Sequence, residues 1–225
     1  MSKSGISVDK NDLVVKANAL IEARYKLPVA AQRVLVGCAR KVKPSDDFDN
    51  TLYMLTVDEY ESLFDVSNNS TYQDLRDAVD VLWDSEFTTY DENDIPTDRR
   101  WIISRKRNSR ANYIGIRFHS DLKEFIFQLK RRFTVYEIGN ISHLKSTYSI
   151  RIYELLKQYR KIKERYFEYS DLRNKLAIND GDYTLFGDFN RRILKQAQRE
   201  LAENTDIRFE YKLIKKSRKV SGKIG

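Results

Sequence analysis

Arg191, Arg192, Lys195, Gln198 and Arg199 recur through LFGDFNRRILKQAQRELAENTDIRFEYKLIKKSRKV (185–220), and Lys215, Lys216, Arg218 and Lys219 follow near its end. Long cationic side chains can neutralise phosphates, and Arg and Gln can also donate in pairs to base edges. At about 100° per residue, Phe186, Phe189, Ile193, Leu194, Ala197 and Leu201 fall on one side of a helix, the stripe expected of an element packed on a core. Arg191, Lys195 and Arg199 fall on the other side, with Arg192 and Gln198 at its margins. Charge on an isolated helix is ordinarily a solvated face. Solvation alone does not explain a basic hairpin immediately after it, so the pair points towards a polyanion.

The charge distribution agrees. The net charge is +8 over 225 residues, yet residues 1–130 carry 19 Lys and Arg against 21 Asp and Glu, and residues 131–225 carry 22 against 12. All the excess lies in the second half, which suits nucleic acid first and an anionic membrane surface second. No apolar run approaches 18 residues, and the start MSKSGISVDKND lacks a secretory signal, so the expectation is a soluble cytoplasmic protein with no membrane partner. The single Cys38 shares a helical face with Ala31, Val34, Leu35 and Val42 and reads as a core thiol. The phosphate-cradling GxxxxGK[ST] pattern is absent. His119 and His143 lie far apart in sequence with no ligand partner at short spacing, so no metal, cofactor or catalytic residue is assigned. The expectation is a binding protein rather than an enzyme.

The elements that must position the basic residues follow from period and punctuation. Residues 12–26 read as a helix, and a second helix runs from Pro28 to about Val42. After the loop KPSDDFDN come the strand TLYMLT, the short helix VDEYESLF and, beyond SNNS, the amphipathic helix TYQDLRDAVDVLWDSEF with Leu75, Val79 and Leu82 inward. A polar loop, YDENDIPTDRR, leads to strands WIISRK and NYIGIRF around RNSRA. The second half repeats the order: helix STYSIRIYELLKQYRKIK, strand RYFEYS, helix SDLRNKL capped by Ser170 or Asp171, the basic helix, then strand IRFEYKLI, turn KKSRK and a last strand. Helix, strand, helix, helix, strand, strand is the order of a winged helix, in which the second helix of a helix-turn-helix enters the major groove and the hairpin lies on the backbone. The fold class is therefore α+β, two tandem winged-helix domains.

The blocks FTVYEIGNISHLKSTYSIRIYELLKQYR, YSDLRNKL and DFNRRILKQAQRELAENTDIRFEYKLIKKSRKV closely resemble plasmid replication initiators of the RepA/RepB type, which bind repeated origin sequences called iterons. NDLVVKANALIEARYKLPVAAQRVLVGCARKV and TYQDLRDAVDVLW resemble the same family's amino-terminal region. The resemblance implies a first domain over 8–132, giving backbone contacts and dimerisation, and a second over 133–225, giving most sequence-specific contacts. It implies a phosphate clamp around Ser149 and Arg151, a recognition helix bearing Arg191, Arg192, Lys195 and Arg199, and a wing bearing Lys216, Arg218 and Lys219. In the first domain it implies Tyr72, Gln73 and Arg76 on the corresponding helix and Arg105, Lys106 and Arg107 on its wing, although Asp74 and Asp77 there repel phosphate. Family members usually continue further, so the strand starting VSGKIG is expected to be cut short, in a fragment of a longer protein.

The expected function is initiation of plasmid replication by sequence-specific binding to duplex DNA at origin iterons. With it go repression of the protein's own promoter as a dimer on an operator inverted repeat, opening of an A·T-rich region, and recruitment of the host initiator and replicative helicase. The alternative is a tandem winged-helix transcriptional repressor; a nicking enzyme comes third, since it needs paired histidines and a nucleophilic tyrosine.

Overall fold

The described residues open with a strand where a helix is expected over 12–26. In the computed structural model, which describes residues 12–126, 132–216 and 219–224, β1 spans Leu13–Ala17 and α1 only Asn18–Glu22. The β-branched pair Val14–Val15 and a partner strand 120 residues away override the apolar periodicity, because strand preference is decided largely by what a strand pairs with. α2 (Val29–Ala39) follows Pro28 at its N-cap, and β2 (Tyr53–Thr56) leads into α3 (Val57–Phe64). A capping box starts α3, where the Thr56 hydroxyl accepts from the Glu59 N–H and the Glu59 carboxylate from the Thr56 N–H, both at 3.1 Å. Asp65, at φ 53°, ends it in the left-handed conformation. α4 (Thr71–Asp84) buries Leu75, Val79 and Leu82 completely, as the spacing requires.

The expected polar loop at 90–100 is in part a hairpin, β3 (Glu86–Tyr90) with β4 (Pro96–Arg100). Period-2 signals fail there because β4 is almost wholly exposed and has no buried face to pattern. β5 (Ile102–Asn108) and β6 (Tyr113–Phe118) form the expected hairpin and join β2 in the order β2-β6-β5. A 3₁₀ turn (Ser120–Leu122) and α5 (Lys123–Ile126) complete the half.

The second half repeats the plan, including the opening strand and short helix: β7 (Phe133–Glu137), α6 (Gly139–Ser142), α7 (Thr147–Lys157), β8 (Arg165–Glu168) and α8 (Tyr169–Lys175). Then come α9 (Phe186–Phe189), a π-helical turn (Asn190–Leu194), α10 (Lys195–Asn204), β9 (Tyr211–Lys216) and β10 (Lys219–Ile224). Its sheet order, β8-β10-β9, matches β2-β6-β5 strand for strand. α7 stops short of the helix expected over 146–163; hydrogen-bonded turns carry the chain to Lys163, whose φ of 64° ends the run. α8 starts at Tyr169, with Glu168 rather than Ser170 or Asp171 at its N-cap. β9 begins four residues later than IRFEYKLI suggests, because the Gln198 amide donates to the Phe209 carbonyl (2.9 Å) and holds the preceding residues on the helix. The last strand pairs with β9 from Lys219 to Ile224 and with β8 from Ser221 to Ile224.

The halves meet about an approximate two-fold. β1 pairs antiparallel with β7, across the domain boundary expected at 132/133. Asn18 N–H donates to Arg132 O (2.9 Å) at one end and Ile138 N–H to Asp12 O (3.0 Å) at the other. Arg33 of α2 donates to the carbonyls of Ser142 (2.7 Å) and Leu144 (3.4 Å); Arg151 of α7 donates to those of Ile21 (2.8 Å) and Ala23 (2.9 Å). Such reciprocity is that of an isologous interface, folded here into one chain.

A buried polar network lies at this junction. Lys16 Nζ is 2.5 Å from Glu154 Oε1, the Tyr136 hydroxyl donates to the same oxygen (2.6 Å), and Arg151 Nη1 donates to Glu154 Oε2 (3.2 Å) and the Tyr25 hydroxyl (2.6 Å). Burial alone would raise the Glu154 pKa, but Lys16 and Arg151 hold it below its ordinary value. Cys38 is a core thiol, its pKa pushed up to about 12 by burial.

Candidate nucleic-acid interface

The basic helix is built as its sequence indicates, with one local departure. Phe189, Ile193, Leu194, Ala197 and Leu201 are buried, and Phe186 packs against that core. The π turn at Asn190–Leu194 widens the helix where Arg191 and Arg192 leave it; such turns recur at functional sites. Asn190 accepts from the Tyr211 hydroxyl (2.5 Å), tying the turn to β9. Arg191 pairs with Asp188 at 2.7 Å, in the exposed geometry that contributes little to stability. Arg192, Lys195 and Arg199 are exposed and make no ion pair among the described residues. Gln198 faces the base of the hairpin, not open solvent.

The helix is fixed to the domain from behind. The Glu200 carboxylate, 8% exposed, accepts from the N–H groups of Lys145 (3.0 Å) and Ser146 (3.2 Å), and the Gln196 amide donates to it (2.9 Å). α10 therefore carries the start of α7 with it, and its cations project from a rigid support. Of the expected wing, Lys216 and Lys219 face each other across the turn in the β9–β10 register; their side chains and that of Lys215, and all of Arg218, lie outside the described residues.

The expected phosphate clamp at Ser149 and Arg151 is corrected. Both are 0% exposed, and Arg151 is engaged in the network between the halves with its guanidinium 3.7 Å from the centre of the Tyr25 ring. Its spacing in STYSIR places it on the inner side of α7, where it can meet only protein.

The first half differs electrostatically. α4 presents Tyr72, half-buried, and Gln73 and Arg76, exposed, but also Asp74, Asp77, Asp80 and Asp84. Gln73 donates to Asp77 (2.6 Å), Arg76 lies 3.6 Å from the same carboxylate, and Arg105 (2.9 Å) and Arg107 (2.5 Å) both engage Asp80. Arg105 also lies 5.0 Å from the centre of the Trp83 ring. Only Lys106 of the expected first-half cations has no carboxylate partner among the described residues; it sits 5.8 Å from the Tyr113 ring centre. A near-neutral face of this kind contributes little long-range attraction to DNA. His119 caps the 3₁₀ turn, its Nδ1 accepting from the Asp121 N–H (3.2 Å), and His143 lies at the end of α6, 3.9 Å from Asp65.

One cation beside the basic helix escapes helical-pattern reading. Lys26, from the loop between α1 and α2, lines an open groove with Ser146, Thr147, Tyr148, Arg192 and Lys195. The sequence signal is the alternation of Tyr25 (in), Lys26 (out), Leu27 (in) and Pro28 (out), hidden where 12–26 is read as a helix.

Comparison with known proteins agrees with this architecture. A crystal structure of the Pi initiator protein in complex with iteron DNA superposes with a TM-score of 0.78 at 19% identity, covering 96% of this chain and 97% of that one, and so shares the fold. An uncharacterised 27.6 kDa protein of Escherichia coli is 24% identical over 218 residues, covering 92% of this chain and 91% of that protein. Two family models match, "Initiator Replication protein, WH1" over residues 13–157 and "Initiator Rep protein, WH2" over 168–223. With both winged helices matched in order across nearly its whole length, the chain belongs to the initiator replication protein family.

Proposed function

We propose that the chain initiates plasmid replication by binding origin iterons in duplex DNA, acting by binding and assembly rather than by catalysis. The observation that carries this reading is the row of exposed cations Arg192, Lys195 and Arg199 on the second domain's helix, free of ion pairs among the described residues and mounted through Glu200 on α7. Arg191 and Arg192 read base edges, Lys195 and Arg199 grip phosphates, and Lys215, Lys216, Arg218 and Lys219 form the wing on the backbone. The first half adds Lys106 at its own wing. Bound copies open the neighbouring A·T-rich duplex and recruit the host initiator and helicase.

Self-association through the first half is supported by its sheet edges. β5 is the outer strand of β2-β6-β5, and β3–β4 is a two-stranded hairpin with Tyr90 and Ile95 exposed. A two-fold dimer suits an operator inverted repeat, and a monomer suits direct repeats.

The separation of base reading from backbone grip gives the test. Arg191→Ala or Arg192→Ala should weaken binding to the cognate repeat by roughly 1 to 3 kcal/mol and relax preference at one or two base pairs, because a bidentate contact to guanine discriminates. Lys216→Ala should weaken cognate and random duplex alike. Competition binding with single-base variants of the repeat checks both; altered base preference from the wing variant, and none from the helix variants, would reverse the assignment.

A further inference from the structure

The loop that carries Lys26 is held from the other half. Arg151 donates to the carbonyls of Ile21 and Ala23 and the Thr147 hydroxyl to that of Leu27 (3.0 Å), while Gln32 of α2, in the same half as the loop, donates to the same Leu27 carbonyl (2.8 Å). With Tyr25 and Leu27 buried on either side, the Lys26 side chain is directed outward over the start of α7, where Nζ lies 5.3 Å from the centre of the Tyr148 ring. The lysine is thus positioned before any ligand arrives, and little ordering remains to oppose binding.

Three features of the surrounding groove point to an anion. Its volume is about 790 Å³, and its lining includes Lys26, Arg192, Lys195 and Arg199 and no carboxylate. Its floor is the first turn of α7, an 11-residue helix whose end carries partial positive charge that favours an anion; the N–H groups there are taken, those of Tyr148 and Ser149 by the Ser146 hydroxyl and those of Lys145 and Ser146 by Glu200, so the turn offers field rather than donors. Tyr148 lines it with 8% of its surface exposed, and its hydroxyl meets the Lys26 ammonium, which keeps that cation at the groove wall. The opposite wall is the recognition helix, so an anion seated here lies beside whatever that helix touches.

We infer that this groove seats a backbone phosphate of duplex DNA, held jointly by Lys26 from the first half and by Lys195 from the second. The inference rests on the duplex-binding reading above and adds that the first half directly completes the grip of the second domain's helix. Arg151 and Thr147, through the loop carbonyls, are positioning residues for Lys26.

The test uses the full chain, a duplex carrying one repeat from the plasmid that encodes it, and a random duplex of equal length. Lys26→Ala should weaken both complexes by the same factor and lower the slope of log affinity against log salt by about 1, while Lys26→Arg should retain both. An unchanged slope, or a loss confined to the repeat, would overturn the phosphate seat. If Arg192→Ala and Lys195→Ala weaken binding and Lys26→Ala does not, the seat fails alone; if none of the three matters, the duplex-binding reading fails with it.

Discussion

Raising salt from 50 to 200 mM should lower the affinity of this chain for its duplex site by about 10³ to 10⁵, with a log-log slope of about −5 to −9. The magnitude follows if ~6 to 10 phosphates are neutralised, since each releases condensed counterions whose return is favoured by added salt. The second half, with Lys26 on the loop that adjoins it from the first, supplies enough candidates: Arg191, Arg192, Lys195 and Arg199 on the helix, and Lys215, Lys216, Arg218 and Lys219 expected from sequence on the wing. The first half supplies few, because Arg105 and Arg107 are drawn to Asp80 and Arg76 to Asp77. Lys195→Ala should therefore flatten the slope by about 1, and Arg107→Ala should change it little. Titration at several salt concentrations checks this; a slope near zero would contradict electrostatic grip, and equal flattening by Arg107→Ala would contradict the asymmetry.

Glu154→Gln should destabilise the chain by about 3 to 5 kcal/mol, a large part of the roughly 5 to 15 kcal/mol typical of a domain. Glu154 is the one carboxylate between two buried cations, and its removal leaves Lys16 and Arg151 charged and uncompensated. The direction of the pH dependence follows. Glu154 titrates below its ordinary 4.5 in the folded chain, so its contribution is present above that value and is lost as pH falls through the folded pKa. Burial disfavours the Lys16 charge, yet Glu154 and Tyr25 keep its pKa above the ordinary 10.5, so its contribution is present below that value and lost as pH rises through the folded pKa. Denaturant unfolding at pH 7 and pH 4 should show the substituted chain less stable at pH 7 and less sensitive to acid. A loss under 1 kcal/mol at pH 7 would show that the network does not need its carboxylate.

The sequence was most legible where one face of an element is buried. In α4 and in the basic helix the apolar spacing alone identifies Leu75, Val79 and Leu82, and Ile193, Ala197 and Leu201, as core. It misled where partners come from far along the chain. Val14 and Val15 sit among residues that fit a helical period, and only β7 makes them a strand. Arg151 resembles a surface cation in type, but the carbonyls that receive it, on Ile21 and Ala23, belong to the other half. Lys26 was invisible for the complementary reason, since its place beside Arg192 and Lys195 arises when the halves dock. The carboxylates of α4 were legible in TYQDLRDAVDVLWD, and their consequence, the engagement of the first wing's arginines by Asp80, needed the hairpin brought back over the helix.

Footprinting of the full chain on the origin of its source plasmid tests the central claim most directly, at a high and a low protein concentration. The account predicts protection of several head-to-tail repeats, favoured on dilution as dimers dissociate, with an inverted repeat occupied at the higher concentration. Protection of a single inverted repeat at every concentration would make the chain a repressor without an initiator role, and a covalent protein–DNA adduct would contradict an action by binding alone.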